Sequence, residues 1–530
     1  MTTKANIRGV TGGPLGNSTF RMLWAAQLAS AIGGWMQTVG AQWTLVQEPG
    51  AATWVSLVQA ASLLPVMFVS LPAGVLADVT DRRRLLIGVQ SAMVLIAGLL
   101  TAITAAGHTS PALLIAFTLL LGSGLALGNP AWQAIQPELV PRDQIPAAAS
   151  LGSLSVNIAG AVGPALGGLL LTVTPAWVLF AINALSFTAV LGALLRWRGT
   201  EEEHTAPETV VAALHAGSRY VRNAPGVRRI LLRAALFVLP ASALWALLPV
   251  VATDHLHQGS GGYGLLLTAL GAGAMIGALA MGRLRRILTS TQILLGAGLL
   301  YGSGMLTTAL LTSLPAVAAM SLLTGVGWLA TLSTLNTAMQ LSLPAWVRAR
   351  GLSVYLIVFL GGQGLGSLLW GLVARPLGTQ GALLLAATLV LASTASLPLI
   401  ALLPDTGTLD RTVTANWPEP ALVFDDTGQT RPVMVEVAYD VDPADLPAFL
   451  EAATPLSRSR RRTGAIRWQL HQDTATPQKL YEIFEVPSWE EHLRQHHDRT
   501  TGFDQQILDR VRNLSRTEPQ VRHLLRLRPH

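Results

Sequence analysis

The sequence contains no cysteine. Disulfides and thiolate metal sites are therefore excluded along the whole chain. Charge is also scarce: only 12% of the 530 residues are Asp, Glu, Lys or Arg, about half the share of an ordinary soluble domain. The shortage is uneven. Residues 1–404 hold 10 of the 29 acids, and residues 405–530 hold the other 19. A long apolar part is thus followed by a short polar one. The basic excess is mostly arginine, and in so apolar a chain clustered arginine signals orientation in a bilayer rather than a nucleic-acid partner. The first apolar run is too long for a cleaved signal, and many more follow it.

Apolar sequence is what the chain has in quantity. A helix needs about 20 apolar residues to cross the hydrocarbon core. Runs of that length lie near 21–46, 54–77, 85–106, 111–135, 147–172 and 176–196, then near 230–252, 264–282, 290–312, 314–340, 351–373 and 379–403. Backbone groups in lipid must bond internally, so each run is expected to be a helix. The expected fold is an all-α membrane protein of twelve transmembrane helices in two six-helix halves, with a small α+β domain at the C-terminus. The divisions fall at 1–200 (first half), 201–229 (cytosolic linker), 230–404 (second half), 405–431 (second linker) and 432–530 (tail domain). With the N-terminus in the cytosol, the inner segments collect nineteen Lys and Arg residues while the outer loops hold Arg375 alone. That bias puts both termini in the cytoplasm.

The two halves are related in sequence. GVLADVTDRRRLL (74–86) aligns without gaps on GALAMGRLRRILT (277–289), an offset of 203. Gly74, Leu76, Ala77, Arg82, Arg83 and Leu85 meet Gly277, Leu279, Ala280, Arg285, Arg286 and Leu288. A weaker match joins AIQPELVPRDQ (134–144) to AMQLSLPAWVR (338–348). An offset of one six-helix half makes the repeat parallel, a plan used by transporters whose halves rock about a central cavity.

On these residues the chain resembles the major facilitator superfamily across 18–404. The turn after the second span carries Gly74, Asp78, Arg82 and Arg83 of that family's Gly-x-x-x-Asp-Arg-x-Gly-Arg-Arg signature, with Val79 and Asp81 as departures. The fifth span carries GAVGPALGG, in which Gly160, Gly163, Pro164, Gly167 and Gly168 resemble the exporters' Gly-Pro-x-x-Gly-Gly motif. Within the superfamily the DRRRLL form and the polar tail are similar to the bacterial secretion-type branch that includes enterobactin exporters. The resemblance implies a transporter, not an enzyme, with no cofactor. The activity it implies is export of a small amphipathic molecule, siderophore or drug-like, across the bacterial inner membrane by alternating access with proton coupling. It also implies that the glycine motif packs the halves together and that Asp78 faces the start of RARGLSVY (348–355). Met281 stands where the second half would repeat Asp78, so the acid is read as a cytosolic latch partnered by Arg82, beyond what topology requires.

The substrate path is neutral in character. No Asp, Glu, Lys, Arg or His falls at mid-membrane depth in any span, and intramembrane charge is the usual mark of a proton relay. Glu48, Asp78, Glu138 and Asp254 are the peripheral candidates for coupling. Gln27, Ser30, Gly34, Gln37 and Ala41 follow one helical stripe. Asn157, Asn183, Asn336, Gln340 and Gln363 lie in other spans, and Trp35, Trp43, Trp245, Trp328 and Trp370 add aromatic surface. The cavity candidates are Gln27, Ser30, Gln37, Asn157, Asn183, Trp245, Trp328, Asn336, Gln340 and Gln363. The alternative use of the amides is interhelical hydrogen bonding; Trp43 and Trp54 read as headgroup-belt residues.

In the tail, VMVEVAYDV alternates as a strand, 443–459 reads as a helix, 465–472 and 479–486 as a strand pair, then two helices and a strand at 519–527. The order βαββαβ is ferredoxin-like and resembles the small domain of antibiotic-biosynthesis monooxygenases, which pairs as a dimer. His492 and His496 stand i, i+4 on one helix. With no third ligand at compelling spacing they read as an exposed polar face, and no metal is expected. Arg458, Arg460, Arg461 and Arg462 form a basic run suited to anionic headgroups or to a solvated loop. The alternative functions are a membrane-tethered oxygenase using the tail, and an importer.

Overall fold

The computed structural model describes residues 13–197, 218–402, 409–410 and 431–525. Most of the linkers expected at 201–229 and 405–431 lies outside the described residues. The first half contributes α1 (Ser18–Leu45), α2 (Ala51–Leu63), α3 (Pro65–Val79), α4 (Arg82–Ala105), α5 (Pro111–Ile135), α6 (Ile145–Leu170) and α7 (Ala176–Arg196). The second contributes α8 (Pro225–Val250), α9 (Ser260–Ile287), α10 (Ser290–Leu310), α11 (Leu314–Ser342), α12 (Ala345–Leu356) and α13 (Gly362–Ala395). Their ends follow local chemistry. Asn17 caps α1 and Asp81 caps α4 by accepting backbone N–H bonds, while Pro65, at the head of α3, divides the second span into α2 and α3.

Ten of the described helical runs are long and apolar enough to cross a membrane, where the sequence suggests twelve. Two features account for the difference. Ser18–Leu45 is not among the ten, because its stripe of Gln27, Ser30, Gln37 and Gln42 lowers its hydropathy. Trp346–Ala395 counts as a single run of 50 residues. Straight, such a run would be about 75 Å long, far beyond a hydrocarbon core of about 30 Å. It is not straight: Gly378 adopts φ +71°, a left-handed backbone that breaks the helix.

The chain forms two compact units. The first takes 1–207, 233–334 and 356–401; the second takes 208–232, 335–355 and 402–530. In the first unit the halves meet at two helix pairs, α6 against α9 and α2 against α13. The 203-residue offset carries α2–α3 onto α9 and α6 onto α12–α13, so it exchanges the two pairs. The glycines repeat as well: Gly163 and Gly168 fall on Gly366 and Gly371. A Cβ added at Gly168 would lie 2.5 Å from Gly264 Cα and 3.0 Å from the Ser260 carbonyl oxygen of α9. One added at Gly371 would lie 2.6 Å from Ser56 Cβ and 3.3 Å from the Ala52 carbonyl oxygen of α2. Small residues thus bring the backbones together twice, in matching places.

The second unit contains the tail: β1 (Val433–Asp440), α14 (Leu446–Thr463), β2 (Arg467–Gln472), β3 (Lys479–Val486), α15 (Trp489–Arg494), α16 (Gly502–Arg512) and β4 (Gln520–Leu525). The sheet is antiparallel in the order β2-β3-β1-β4. Val433, Val435 and Val437 alternate inward from β1 and pack with Phe449, Leu456, Phe484 and Val511.

Candidate functional site

Aromatic rings from both halves converge in the first unit. Trp35 of α1 meets Trp245 of α8 with centroids 6.1 Å apart, and Trp245 meets Trp328 of α11 at 5.6 Å. Trp328 in turn touches Phe359, Tyr301 and Phe237 at 5.5, 5.7 and 5.9 Å. Phe359 lies in a π-helical turn, Ile357–Gly361, between α12 and α13, a distortion frequent at functional sites. The glycine motif makes room for this group. A Cβ at Gly163 would stand 2.6 Å from Trp35 Cβ, and Gly160 lies under the same indole. Trp245 Nε1 is buried and makes no hydrogen bond of ordinary geometry, though the Tyr301 hydroxyl lies beside it.

The amides divide into two kinds. Asn183, 1% exposed, donates to Gln37 Oε1 and its oxygens accept from Ser186 Oγ, locking α7 to α1. These are packing bonds between helices. Ser30 and Gln363 are also buried, whereas Gln27 and Asn157 are half-exposed. Gln340 is exposed and donates to Asn336 Oδ1 at 3.4 Å; both belong to the second unit. The structure therefore gathers Trp245 and Trp328 into one aromatic group, ties Gln37 to Asn183, and leaves Asn336 and Gln340 to each other.

Sequence reasoning missed a third network. Gln42 donates to Gln59 Oε1 at 3.1 Å and accepts from the Tyr263 hydroxyl at 2.5 Å, joining α1, α2 and α9. Trp43 stacks on Tyr263, centroids 6.2 Å apart and planes 15° apart, which makes it a contact between the halves. Trp54 Nε1 donates to the Pro49 carbonyl at 3.1 Å. Gln42, Gln59 and Tyr263 are far apart in sequence, and only the repeat pairing of α2 and α9 hinted that they would meet.

At the charged turn, Arg82 Nη1 lies 2.6 Å from Glu138 Oε1, a half-buried ion pair. Arg83 donates to the Leu194 and Leu195 carbonyls at 3.2 and 3.1 Å, satisfying the last turn of α7. Arg84 pairs with Asp81 at the surface. The side chain of Asp78 lies outside the described residues, and Gly74 has open space around its Cα. In the second half Arg285 donates to the Ser333 carbonyl and hydroxyl at 3.1 and 2.7 Å, and Met281 is buried.

A model of transmembrane secretion effectors matches residues 10–530. The chain belongs to that family. It is a multi-pass membrane transporter of the major facilitator superfamily and not an enzyme. Multidrug efflux pump Tap of Mycobacterium bovis is 26% identical over 373 residues, covering 66% of this chain and 86% of that protein. The staphyloferrin A transporter of Staphylococcus aureus is 26% identical over 278 residues, 52% of this chain and 70% of that one. Macrolide efflux protein A of Streptococcus pyogenes is 24% identical over 267 residues, covering 50% and 66%. Among solved structures, an inward-facing bacterial homologue of the human lysosomal transporter Spinster superposes with a TM-score of 0.56 at 16% identity, covering 72% of this chain and 95% of that one. The nucleoside transporter NupG gives 0.59 at 12%, covering 72% and 99%. At such identity these likenesses speak to the fold alone.

The tail departs from the surface reading of its polar residues. Arg460 and Arg462 are not available to headgroups or solvent. Arg460 pairs at 2.9 Å with Glu482, which is 0% exposed and also accepts from Trp468 Nε1 and Tyr439. Arg462 pairs with Asp504, which also accepts from Ser459 and Thr501. Burial opposes ionisation of Asp504, but Arg462 and the two hydroxyls hold its carboxyl below the usual range. Arg458 and Arg461 alone of the run are exposed. The histidine pair is likewise not an exposed face, since His492 is 1% exposed. Burial, with His496 and His523 beside it, lowers the His492 ring to about 3, and burial brings His496 to about 4.

The tail also holds segments that flank the helices. Arg499 forks onto Glu491 at 2.7 and 2.8 Å and lies over the Trp346 ring at 5.0 Å. Arg219 reaches Glu491 at 3.5 Å, and Tyr220 packs edge-on against Trp346 with its hydroxyl donating to the Ser342 carbonyl. All these residues belong to the second unit.

Proposed function

We propose that the chain exports a bulky, amphipathic and partly aromatic molecule, siderophore or drug-like, across the bacterial inner membrane by alternating access. The observation that carries this reading is the Trp35–Trp245–Trp328 group, contributed by both halves, with a buried indole N–H that makes no hydrogen bond of ordinary geometry. Such a surface suits a flat apolar solute carrying a hydrogen-bond acceptor better than a sugar phosphate. The names of the relatives, a multidrug pump, a macrolide efflux protein and a siderophore transporter, lie within the same substrate class. Counting Ser18–Leu45 and dividing Trp346–Ala395 at Gly378 gives twelve spans, six to a half. The arginine bias then puts both termini, the charged turn and the tail in the cytoplasm.

In this reading the Gly160–Gly168 stretch is the hinge between halves, and the turn at Gly74, Asp78, Arg82 and Arg83 is the cytosolic gate. Glu138, bonded to Arg82, is the acid best placed to couple gating to protonation. The tail, whose strand order fits a ferredoxin-like unit, is an accessory domain that steadies the ends of α11 and α12 through Trp346. The test is transport in proteoliposomes under an imposed pH gradient, with siderophores and planar cationic dyes as solutes. Gradient-dependent efflux that Trp245→Ala and Trp328→Ala shift in solute preference is the expected result. Flux of none of these compounds would overturn the proposal. Asp78→Asn should insert normally and transport poorly; normal transport would remove the gate role from Asp78.

A further inference from the structure

Three imidazoles converge in the tail from three elements. His492 lies on α15, His496 on the π-helical turn Gln495–Arg499 that follows it, and His523 on the edge strand β4. One ring nitrogen from each lies within 4.8 Å of the others. The ring centroids of His492 stand 4.5 Å from His496 and 4.9 Å from His523. Pairing of β4 with β1 sets His523 opposite Val435 and brings it to the helix.

We propose that His492, His496 and His523 bind one divalent transition-metal cation of the zinc type. Two nitrogens on a tetrahedral zinc, each about 2.0–2.1 Å from the metal, are about 3.4 Å apart. His492 Nε2 and His496 Nε2 are 3.2 Å apart. Rotation of the half-buried His523 ring brings in the third nitrogen. The donor set is three neutral nitrogens, which selects Zn²⁺, Co²⁺, Ni²⁺ or Cu²⁺ and disfavours the oxygen-seeking Ca²⁺ and Mg²⁺.

The surroundings are arranged for ligation. His492 Nδ1 faces Gln495 Oε1 at 3.3 Å, and Gln495 Nε2 donates to Thr463 Oγ1 at 2.8 Å. The amide is therefore oriented to accept from Nδ1–H, and the His492 lone pair points from Nε2 toward the cluster. This is the outer-shell pattern that fixes a ligating tautomer. An N–H···N bond between His492 and His496 explains two of the rings. It leaves His523 Nε2 buried with no hydrogen-bond partner, in a protein class where such groups are rarely left unmet. A cation accounts for all three nitrogens at once. Bound there, it would tie the edge strand to α15, next to Glu491 and the Arg499–Trp346 contact.

The test uses the full-length protein in detergent, purified without a histidine tag and stripped with chelator, then titrated with Co²⁺ and, by calorimetry, with Zn²⁺. The expected result is one equivalent per chain, with a visible Co²⁺ spectrum of low coordination number. His496→Gln and His523→Gln should each weaken binding more than about 30-fold. Gln495→Leu should cost about 10–100-fold, as outer-shell changes do. His497→Gln, outside the cluster, should change nothing. Absence of stoichiometric binding, or binding indifferent to His523→Gln, would overturn the site. If a variant misfolds by circular dichroism, zinc-edge X-ray absorption of the wild type decides between a shell of three imidazoles, which supports the proposal, and an all-oxygen shell, which ends it. Neither result bears on transport.

Discussion

The two halves agree in their packing and differ in their chemistry. Gly168 and Gly371 make matching backbone approaches, to α9 and to α2, and Arg82 and Arg83 recur as Arg285 and Arg286. Three departures bear on function. Where the first half pairs Arg82 with Glu138, the second offers Arg285 the Ser333 carbonyl and hydroxyl. Asp78 becomes Met281, and Trp35 falls on Val238. A repeat preserves what both copies need, which is close backbone contact and positive charge at one face. Residues that fail to repeat are freed for tasks needed once. Under the proposed reading, the gating acids and solute-facing indoles are of that kind.

The largest effect is expected outside the repeat, in the tail. Asp504→Ala strands Arg462 in the interior and should destabilise the tail by about 3–5 kcal/mol, read as a lowered tail melting transition with the helical spans unchanged. The same pair sets an acid limit. A carboxyl depressed in the folded state adds stability above its unfolded pKa of about 3.9 and loses it as pH falls through the folded value. This pair alone would leave tail stability flat down to about 5, but His492 and His496 stay neutral in the fold well below the free imidazole value of about 6.5. Tail stability should therefore begin to fall as pH drops below about 6.5, when the unfolded chain takes up protons the folded rings refuse, and fall further below about 4. Next in size, Gly168→Leu and Gly371→Leu should each cut transport at least tenfold, since overpacking costs about 1–3 kcal/mol; a large difference between them would break the equivalence of the halves.

A smaller effect sharpens the contrast. Glu138→Gln should slow transport severalfold while insertion stays normal, whereas Ser333→Ala at the matching turn should change transport little. Equal losses would mean that both turns gate. The smallest is Asn183→Leu, expected to cost about 0.6 kcal/mol, the average interhelical hydrogen bond in lipid, with solute preference unmoved. A shifted preference would return Asn183 to the cavity.

Much of this was legible in the sequence wherever local periodicity carried the information. The alternation of VMVEVAYD reads directly as β1, whose valines are buried and whose Met434 is exposed. Apolar runs read as helices because lipid leaves the backbone no other choice. The site was less legible, because its key pairs are made by tertiary contact. Nothing near His492 announces His523, which arrives through strand pairing. The buried state of Arg460 and Arg462 depends on Glu482 and Asp504, acids 22 and 42 residues away. Asn183 and Gln363 look alike in sequence, yet the first is bonded to Gln37. The division between the runs 351–373 and 379–403 was legible, whereas the left-handed dihedral of Gly378 that makes the break was not.

The contact at Trp346 has a thermodynamic corollary. Helix α11 begins in one compact unit and finishes in the other, and the Arg499–Trp346 stack holds the segment just beyond its end. Any solute that favours one placement of that last turn must change the affinity of the tail for it, and by reciprocity any ligand of the tail must change solute affinity by the same factor. Under the proposed transport reading, such a linkage would make the tail a second place at which the transporter can be addressed.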